Sequence, residues 1–388
     1  MKWNNKGHEF DEIGQRFKDN KRVWIYGAGE NGRELFKRLK FADCVEGFID
    51  NSITEKSLYG KKVVSVVEFM KYHHKDVIVV VCAGRMNEVW MMNQMRTAGY
   101  EDGKTLFDFH AFTKFWLPIF AMYGWDKLYI HGLAFITTTF CNLRCKKCLG
   151  FTNQNKNKKR HDMQKMKKNL DLAFQAVDYV GLLNINGGEA FLFQDDVLEI
   201  LQYIGQCYRH KIGHLYVTTN GTIVPTDDLC KVMKEQDVLL QIDDYTDAIG
   251  EDRVVVKEMI EKCKQFEICY SVKKVSEWID LGLGEVDNSA YSDSELQNYF
   301  ISCQQEWMEL HDGKFSNCCY NSYAVRAKLM EEHSEEIYDL NKHTEKDKMI
   351  LLEYVRGYSE KGYFEMCKTC AGYWGTNRNI VKAAEQEQ

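Results

Sequence analysis

The chain has 388 residues, of which 45% are hydrophobic and 13% aromatic, and its net charge is −6. This length allows two or three folded domains, and the composition excludes a largely disordered protein. The negative charge favours neither nucleic acid nor anionic lipid as a partner. Residues 1–21 are charged and polar, and the apolar run 115–125 is too short to cross a bilayer. We therefore expect a soluble, cytoplasmic protein without a membrane or nucleic-acid partner.

The first predicted element is a strand at residues 21–26, which runs into a glycine-rich turn and a helix at 33–40. The turn has the pattern G-x-G-x-x-G, formed by Gly27, Gly29 and Gly32. In a strand–turn–helix context, such glycines bring backbone N–H groups and a helix N-terminus close to a phosphate.

A second predicted strand, 45–50, ends at Asp50, where a dinucleotide fold would hold a ribose hydroxyl. A further strand at 77–82 and a helix at 86–98 complete a Rossmann-like α/β domain within residues 1–115. Three interpretations remain open for this domain: binding of a nucleotide or nucleotide sugar, a packing module, and binding of NAD.

A fourth predicted strand, 134–140, is buried and is followed by a loop with three thiols, Cys141, Cys145 and Cys148. Thiolates select zinc, copper(I) or iron–sulfur clusters. Three thiolates on a four-iron cluster leave one iron open for a cofactor or substrate. A zinc site with His161 as its fourth ligand is the alternative. Fourteen cysteines without a secretion signal indicate metal chemistry in a reducing compartment rather than disulfides.

A basic segment at residues 153–168 follows this loop. Its cationic side chains are Lys156, Lys158, Lys159, Arg160, Lys165, Lys167 and Lys168. Such a run is usually a solvated face, and a phosphate-gripping role is the second interpretation. RNA binding is disfavoured because no aromatic residues are interleaved with the charges.

Polar residues follow each of the next predicted strands. Strand 180–186 ends at Gly187, Gly188 and Glu189, and strand 214–219 ends at Asn220. The next strand, 238–245, contains Asp243 near its end, and a further strand is predicted at 266–272. Alternating strands and helices with polar residues at the strand ends are typical of a parallel α/β barrel with its site at the carboxyl ends.

The last hundred residues carry a second set of cysteines. Asp312 and Gly313 between two strand-like runs predict a β-hairpin. The thiols near and after this hairpin are Cys303, Cys318, Cys319, Cys367 and Cys370. A four-thiolate zinc site and a four-thiolate cluster satisfy the same spacing. Residues beyond Trp374 are expected to form a frayed tail.

These motifs, in this order, resemble those of the radical SAM superfamily. The resemblance implies a partial (β/α)6 TIM-like barrel over residues 126–290, with Cys141, Cys145 and Cys148 holding a [4Fe–4S] cluster. It also implies that the open iron binds S-adenosylmethionine, which is cleaved reductively to a 5′-deoxyadenosyl radical. The residues that would position the cofactor are Gly187, Gly188, Glu189, Asn220 and Asp243.

The order of the later cysteines is similar to that of SPASM/twitch auxiliary-cluster domains, here over residues 291–388. This resemblance implies a second [4Fe–4S] cluster on Cys303, Cys318, Cys367 and Cys370, with Cys319 as the rival of Cys318. An electron donor such as flavodoxin or ferredoxin is the implied protein partner. Cys319 and Tyr320 are candidates for quenching a product radical.

The motifs are compatible with more than one class of substrate. The N-terminal glycine signature resembles domains attached to nucleotide-sugar and surface-glycan enzymes, which favours a sugar, polyol or nucleotide-sugar substrate in glycan or natural-product biosynthesis. A second cluster favours oxidation, dehydration or epimerisation, and hence an oxidoreductase or epimerase. The alternatives are a peptide-modifying enzyme of the same superfamily and a non-catalytic zinc scaffold that binds a nucleotide sugar.

Overall fold

The structure, a computed structural model, describes residues 1–53, 55–71, 77–303, 305–375 and 377–387. The chain forms two compact units. The N-terminal unit comprises His8–His131 and Val177–Gly181. The C-terminal unit comprises Met1–Gly7, Gly132–Ala176 and Leu182–Gln388. The three-domain division expected from the sequence stays a prediction.

A six-stranded sheet forms the centre of the N-terminal unit. Its strands are β1 (Val23–Tyr26), β2 (Val45–Ile49), β3 (Ser57–Leu58), β4 (Lys61–Val64), β5 (Ile78–Val81) and β6 (Leu106–Asp108). The spatial order is β3-β4-β2-β1-β5-β6, and every pairing is parallel except that of β3 with β4. Strands β1 and β5 are buried along their whole length, as continuous apolar runs in a parallel sheet should be.

The helices of this unit are α1 (Asp11–Gly14), α2 (Arg16–Asp19), α3 (Glu30–Arg38), α4 (Val66–Lys71), α5 (Arg85–Thr97), α6 (Phe109–Ala111) and α7 (Leu117–Trp125). A short π-helix, Phe112–Trp116, joins α6 to α7. Helix α7 packs on α2, where the rings of Phe120 and Phe17 meet edge to face with centroids 5.2 Å apart. Such pairs add stabilisation beyond their buried area.

The glycine-rich turn lies between β1 and α3, as the sequence predicts. Gly27 has φ +108°, a conformation that L side chains rarely adopt. A Cβ atom on Gly32 would overlap the carbonyl oxygen of Gly27, so this glycine lets the helix approach the turn. The Asp50 carboxylate accepts hydrogen bonds from the backbone N–H groups of Ala28 (2.8 Å) and Ser52 (2.8 Å). Asp50 therefore holds the turn itself, a role that the ribose interpretation had not anticipated.

Alanine at Gly32 is expected to lower the free energy of unfolding by about 2 kcal/mol, because its Cβ must displace the backbone of the turn. Alanine at Gly29 is the matched control, since no described heavy atom lies within 4 Å of that position and its φ of −73° suits any residue. Its expected cost is below about 1 kcal/mol. Chemical denaturation measures both, and equal losses would contradict the packing role of Gly32.

The C-terminal unit contains most of the second sheet. The remaining strands are β7 (Tyr129–Ile136), β8 (Tyr179–Asn186), β9 (Ile212–Thr219), β10 (Val238–Asp244), β11 (Cys269–Lys274), β12 (Glu277–Ile279), β13 (Met308–His311), β14 (Lys314–Ser316), β15 (Ile337–Asp339) and β16 (Ile380–Lys382). Eight of them form one sheet in the order β11-β10-β9-β8-β7-β13-β14-β15, and β12 pairs with β16 separately. The pairings β9–β10, β10–β11 and β7–β13 are parallel.

The helices of the C-terminal unit are α8 (Met163–Ala176), α9 (Gln194–Cys207), α10 (Asp227–Glu235), α11 (Thr246–Ile249), α12 (Val256–Gln265), α13 (Asp293–Ser302), α14 (Cys319–Arg326) and α15 (Lys348–Val355). Strands β7 to β11 alternate with helices and lie side by side in chain order, so the predicted α/β class with parallel strands is confirmed. The six-stranded barrel stays a prediction.

The predicted hairpin at residues 312–313 is also confirmed. Strands β13 and β14 pair antiparallel, with His311 opposite Lys314. Asp312 and Gly313 both have positive φ, 45° and 70°, which matches the twist of a tight two-residue hairpin. Among the helices that the structure describes, none is long and apolar enough to cross a membrane.

Candidate functional site

The three cysteines of the first motif lie together in a loop beyond the end of β7. Cys145 belongs to a buried apolar cluster, and Cys141 and Cys148 pack against the same cluster. The other members include Leu143 and Tyr245. The loop therefore brings its three thiols to one water-poor patch, which is the environment that soft thiolate ligation requires.

Each of these thiol groups has a polar neighbour. The Cys141 sulfur accepts from the backbone N–H of Leu143 at 3.4 Å. The Cys148 sulfur lies 3.3 Å from the Thr152 hydroxyl. The Cys145 sulfur accepts from the side-chain amide of Gln386 at 3.2 Å. Hydrogen bonds to sulfur of this kind stabilise a thiolate and tune the metal that it holds.

Burial keeps the first two thiols protonated at neutral pH. It raises the pKa of Cys141 to about 12 and that of Cys145 to about 11. A negative charge on Cys148 would raise both pKa values further, which places the three sulfurs within electrostatic reach of one another. A metal that binds here must displace these protons.

The two glycines after β8 are required by close backbone packing. A Cβ atom on Gly187 would lie 2.7 Å from the carbonyl oxygen of Thr138, and one on Gly188 would overlap that of Phe140. The N–H of Gly188 donates to Thr138 and the N–H of Glu189 donates to Phe140, both at 2.8 Å. The glycine turn is thus joined directly to the start of the cysteine loop.

Glu189 connects the ends of two neighbouring strands. Its side chain is 1% exposed, and its carboxylate accepts from the Phe191 N–H (2.9 Å), the Thr219 hydroxyl (2.8 Å) and the Asn220 N–H (2.7 Å). Burial raises the pKa of Glu189, while these three donors favour its ionised form. The sequence motif marked this residue as a cofactor contact, and the structure places its carboxylate in bonds that hold the scaffold.

Asn220 and Asp243 lie at the ends of β9 and β10. The Asn220 side chain donates to the oxygen of Asn142 at 3.0 Å and points to the Cys141 sulfur at 3.7 Å. The Asp243 carboxylate accepts from Gln241 and from the Tyr245 hydroxyl, and burial raises its pKa. The glycine turn and Asn220 therefore meet the cysteine loop directly, and Asp243 contacts Tyr245 of the same apolar cluster.

The C-terminal segment is ordered against the cysteine loop, so the expectation of a frayed tail is wrong. Strand β16 pairs with β12, and Ala383 and Ala384 are fully buried beside Cys145. The Lys146 N–H donates to the Glu385 carbonyl, and the Glu387 N–H donates to Arg144, both at 2.8 Å. The sequence signal was weak, because two alanines in a polar stretch give no periodic pattern.

Removal of the tail is expected to expose the cysteine loop. A chain that ends at Asn379 loses the Gln386 amide and the alanines that cover Cys145, which is only 6% exposed. Alkylation of Cys145 in the metal-free protein, followed by peptide mass spectrometry, should become at least about tenfold faster, because reactivity follows access to the thiol.

The matched control is Glu387→Gln, which removes only an exposed ion pair with Arg144. Such pairs contribute about 0–1 kcal/mol, so the alkylation rate should stay unchanged. A truncated chain whose Cys145 reacts as slowly as in the full chain would show that the tail does not cover the loop.

The second set of cysteines also gathers in one place. Cys370 is a buried member of an apolar cluster against which Cys318 and Cys367 pack. A charge on Cys303 would raise the pKa of Cys318, Cys367 and Cys370, although burial is the larger cause in each case. The Cys303 sulfur accepts from the Tyr373 N–H, and the Cys370 sulfur from the Gly372 N–H, both at 3.3 Å.

Cys318 and Cys319 have different surroundings. Cys318 is the N-cap residue of α14 and packs on the cluster that contains Cys370. Cys319 is the first residue of α14 and accepts from the Gln305 amide at 3.3 Å. The two thiols separate because Cys318 has an extended backbone conformation and Cys319 begins the helix, so their side chains leave the backbone in different directions.

A cavity of about 230 Å³ lies near the cysteine loop, with Gly150, two residues after Cys148, in its wall. Its walls include Gly187 and Gly188 on one side and Cys319 and Tyr320 on another. Burial raises the pKa of the Tyr320 hydroxyl strongly, so this group is a neutral phenol in the protein. The two residues predicted to act on a product radical thus face the same space as the predicted cofactor turn.

No group of three or more His, Cys, Asp or Glu side chains in the described part of the chain could hold a single metal ion. The first set nevertheless has the donor chemistry of a cluster site: three thiols, an apolar surrounding and amide hydrogen bonds to sulfur. The second set offers three thiols at one apolar cluster, those of Cys318, Cys367 and Cys370, with Cys303 within electrostatic reach of Cys367. The donor types of the two sets, thiols beside apolar residues, are those of iron–sulfur ligands.

No protein-family model matches the chain, and no curated protein sequence matches it. Among solved structures, native anSMEcpe with bound AdoMet is 12% identical, with a TM-score of 0.38 over 66% of this chain and 94% of that one. The complex of BtrN with AdoMet and 2-DOIA is 16% identical, with a TM-score of 0.37 over 63% and 93%.

Proposed function

We propose that the protein is a radical SAM enzyme. The observation that carries this proposal is the convergence of Cys141, Cys145 and Cys148 on one apolar patch, in direct contact with the glycine turn and Asn220. Three thiols leave a four-iron cluster one ligand short, and the adjacent turn provides space for a small molecule to complete it. When bound, the cluster supplies the electron that cleaves S-adenosylmethionine to a 5′-deoxyadenosyl radical.

The chain itself binds, orients and excludes water. The tail covers Cys145 on the solvent side, and the turn at Gly187 and Gly188 opens toward the cavity. Substrate in this cavity would present a C–H bond to the radical. Thr138 and Asn186 also line the cavity and offer hydrogen-bonding groups for a polyhydroxylated ligand.

We assign the second set of cysteines to an auxiliary [4Fe–4S] cluster held by Cys303, Cys318, Cys367 and Cys370. Cys319 is not one of the proposed ligands. It lines the cavity together with Tyr320, and we propose that one of these two residues donates a hydrogen atom to a product radical. A cluster that exchanges one electron with the substrate suits oxidation, dehydration or epimerisation. The preferred substrate is a sugar, polyol or nucleotide sugar, and flavodoxin or ferredoxin in the cytoplasm is the proposed electron donor.

Anaerobic reconstitution tests the first cluster. The loaded protein should contain iron and sulfide and should release 5′-deoxyadenosine from S-adenosylmethionine on reduction. Cys145→Ala should abolish this release, because two thiolates do not retain the cluster. The matched control is Cys269→Ala, at an exposed cysteine of β11, which should keep full activity.

Colourless protein that binds zinc and contains no sulfide would instead identify the zinc scaffold. The auxiliary site has its own readout: Cys370→Ala should lower the iron content by about half, since one of two four-iron clusters is lost. An unchanged iron content in that variant would contradict a second cluster on this cysteine.

A panel of ligands tests the substrate class. Reductive incubation with sugars, sugar phosphates and nucleotide sugars should increase 5′-deoxyadenosine formation for at least one member by about tenfold, because bound substrate traps the radical productively. If a peptide increases 5′-deoxyadenosine formation and no sugar does, peptide modification becomes the preferred function.

A further inference from the structure

A second cavity, of about 350 Å³, lies next to the one described above. Thr139 and Arg326 line both cavities, so the two share a wall. The second cavity is lined by five basic side chains against two acidic ones. The basic residues are Lys159, Arg160, Lys165, Arg326 and Lys328.

Two of these cations already have anionic partners. Arg160 makes a bidentate pair with Asp196 at 2.7 and 2.8 Å, and Arg326 pairs with the fully buried Glu309. Lys159, Lys165 and Lys328 make no ion pair with a carboxylate in the described part of the chain. These three ammonium groups are the charge that the cavity offers to a ligand.

The inner wall contains polar nitrogens that the protein leaves unsatisfied. Nε2 of His161 and Nε of Arg326 are both buried, and neither has a hydrogen-bond partner among the described residues. A buried polar nitrogen without a partner costs free energy. Arginine Nε only donates, and His161 Nε2 donates in one tautomer, so an acceptor-only ligand satisfies both.

Charges of both signs surround His161. Its pKa is lowered to about 4 by burial first, then by the positive charge of Arg326 and by His311, whose ring lies 5.4 Å away. Glu309 and Asp312 act in the opposite direction and raise this pKa. The two acids of the lining are already engaged in part. The Asp162 carboxylate accepts a hydrogen bond from the backbone N–H of Lys165 at 2.9 Å, and the Asp312 carboxylate lies 3.3 Å from Nε2 of His311.

We infer that this second cavity binds the phosphate group of the substrate while the sugar part occupies the first cavity. The inference rests on the proposed function and narrows its substrate class to a phosphate ester, as in a sugar phosphate or a nucleotide sugar. Arg326, at the shared wall, stands between the two parts of such a ligand, and Lys159, Lys165 and Lys328 surround its charged end.

Calorimetric titration of the loaded, unreduced protein with inorganic phosphate tests the site directly. Lys165→Ala should weaken phosphate binding about tenfold, the loss expected for one charge-assisted hydrogen bond. The matched control is Lys168→Ala, an exposed lysine on the same helix that lies outside the cavity lining, which should change binding less than about twofold.

A second titration compares glucose 6-phosphate with glucose, and only the ester should show the dependence on Lys165. Equal weakening in both lysine variants, or no phosphate binding, would overturn the inference. These titrations measure phosphate binding and do not depend on radical chemistry. If the protein cleaves S-adenosylmethionine but binds no phosphate, only the phosphate site is contradicted. If it binds phosphate but does not cleave S-adenosylmethionine, only the proposed function is contradicted.

Discussion

The site depends on one buried carboxylate. Glu189 is almost fully enclosed, and three donors from its own turn and from the end of β9 converge on it. Because a buried carboxyl group is tolerated only when its oxygens are hydrogen-bonded, the turn after β8 and the end of β9 must keep one arrangement. Gly188 then packs against Phe140, and the cysteine loop begins at the next residue. The positions of the thiols thus depend on hydrogen bonds that hold the backbone of the two neighbouring strand ends.

The C-terminal tail closes the other side of the loop. Its contacts are mostly backbone hydrogen bonds to Arg144 and Lys146, with one side-chain amide directed at a sulfur. Exposed ion pairs such as Lys146–Glu385 add little, because water screens them. The burial of two small alanines beside Cys145 is the larger contribution, since it removes the loop from solvent.

Helix α14 organises the remaining parts of the site. Its first residues separate Cys318, which faces the second set of thiols, from Cys319, which faces the first cavity. Its last residue, Arg326, reaches the wall that both cavities share and is held there by the buried Glu309. One short helix therefore relates the proposed auxiliary cluster, the proposed hydrogen donor and the proposed phosphate site, which explains why these features occur in one compact unit.

The sequence by itself determined the local features: the glycine turn after β1, the alternation of strands and helices, the hairpin at Asp312–Gly313 and the spacing of Cys141, Cys145 and Cys148. These depend on backbone conformation and on neighbours a few residues apart, which composition and periodicity encode directly. Only the tertiary structure decided that Cys319, and not Cys318, lines the first cavity. It also showed that the carboxylates of Asp50 and Glu189 accept hydrogen bonds from backbone N–H groups, and that Gln386 contacts Cys145 from 241 residues away. Such long-range contacts arise from the packing of whole elements, and no local pattern specifies which distant side chain fills a given gap.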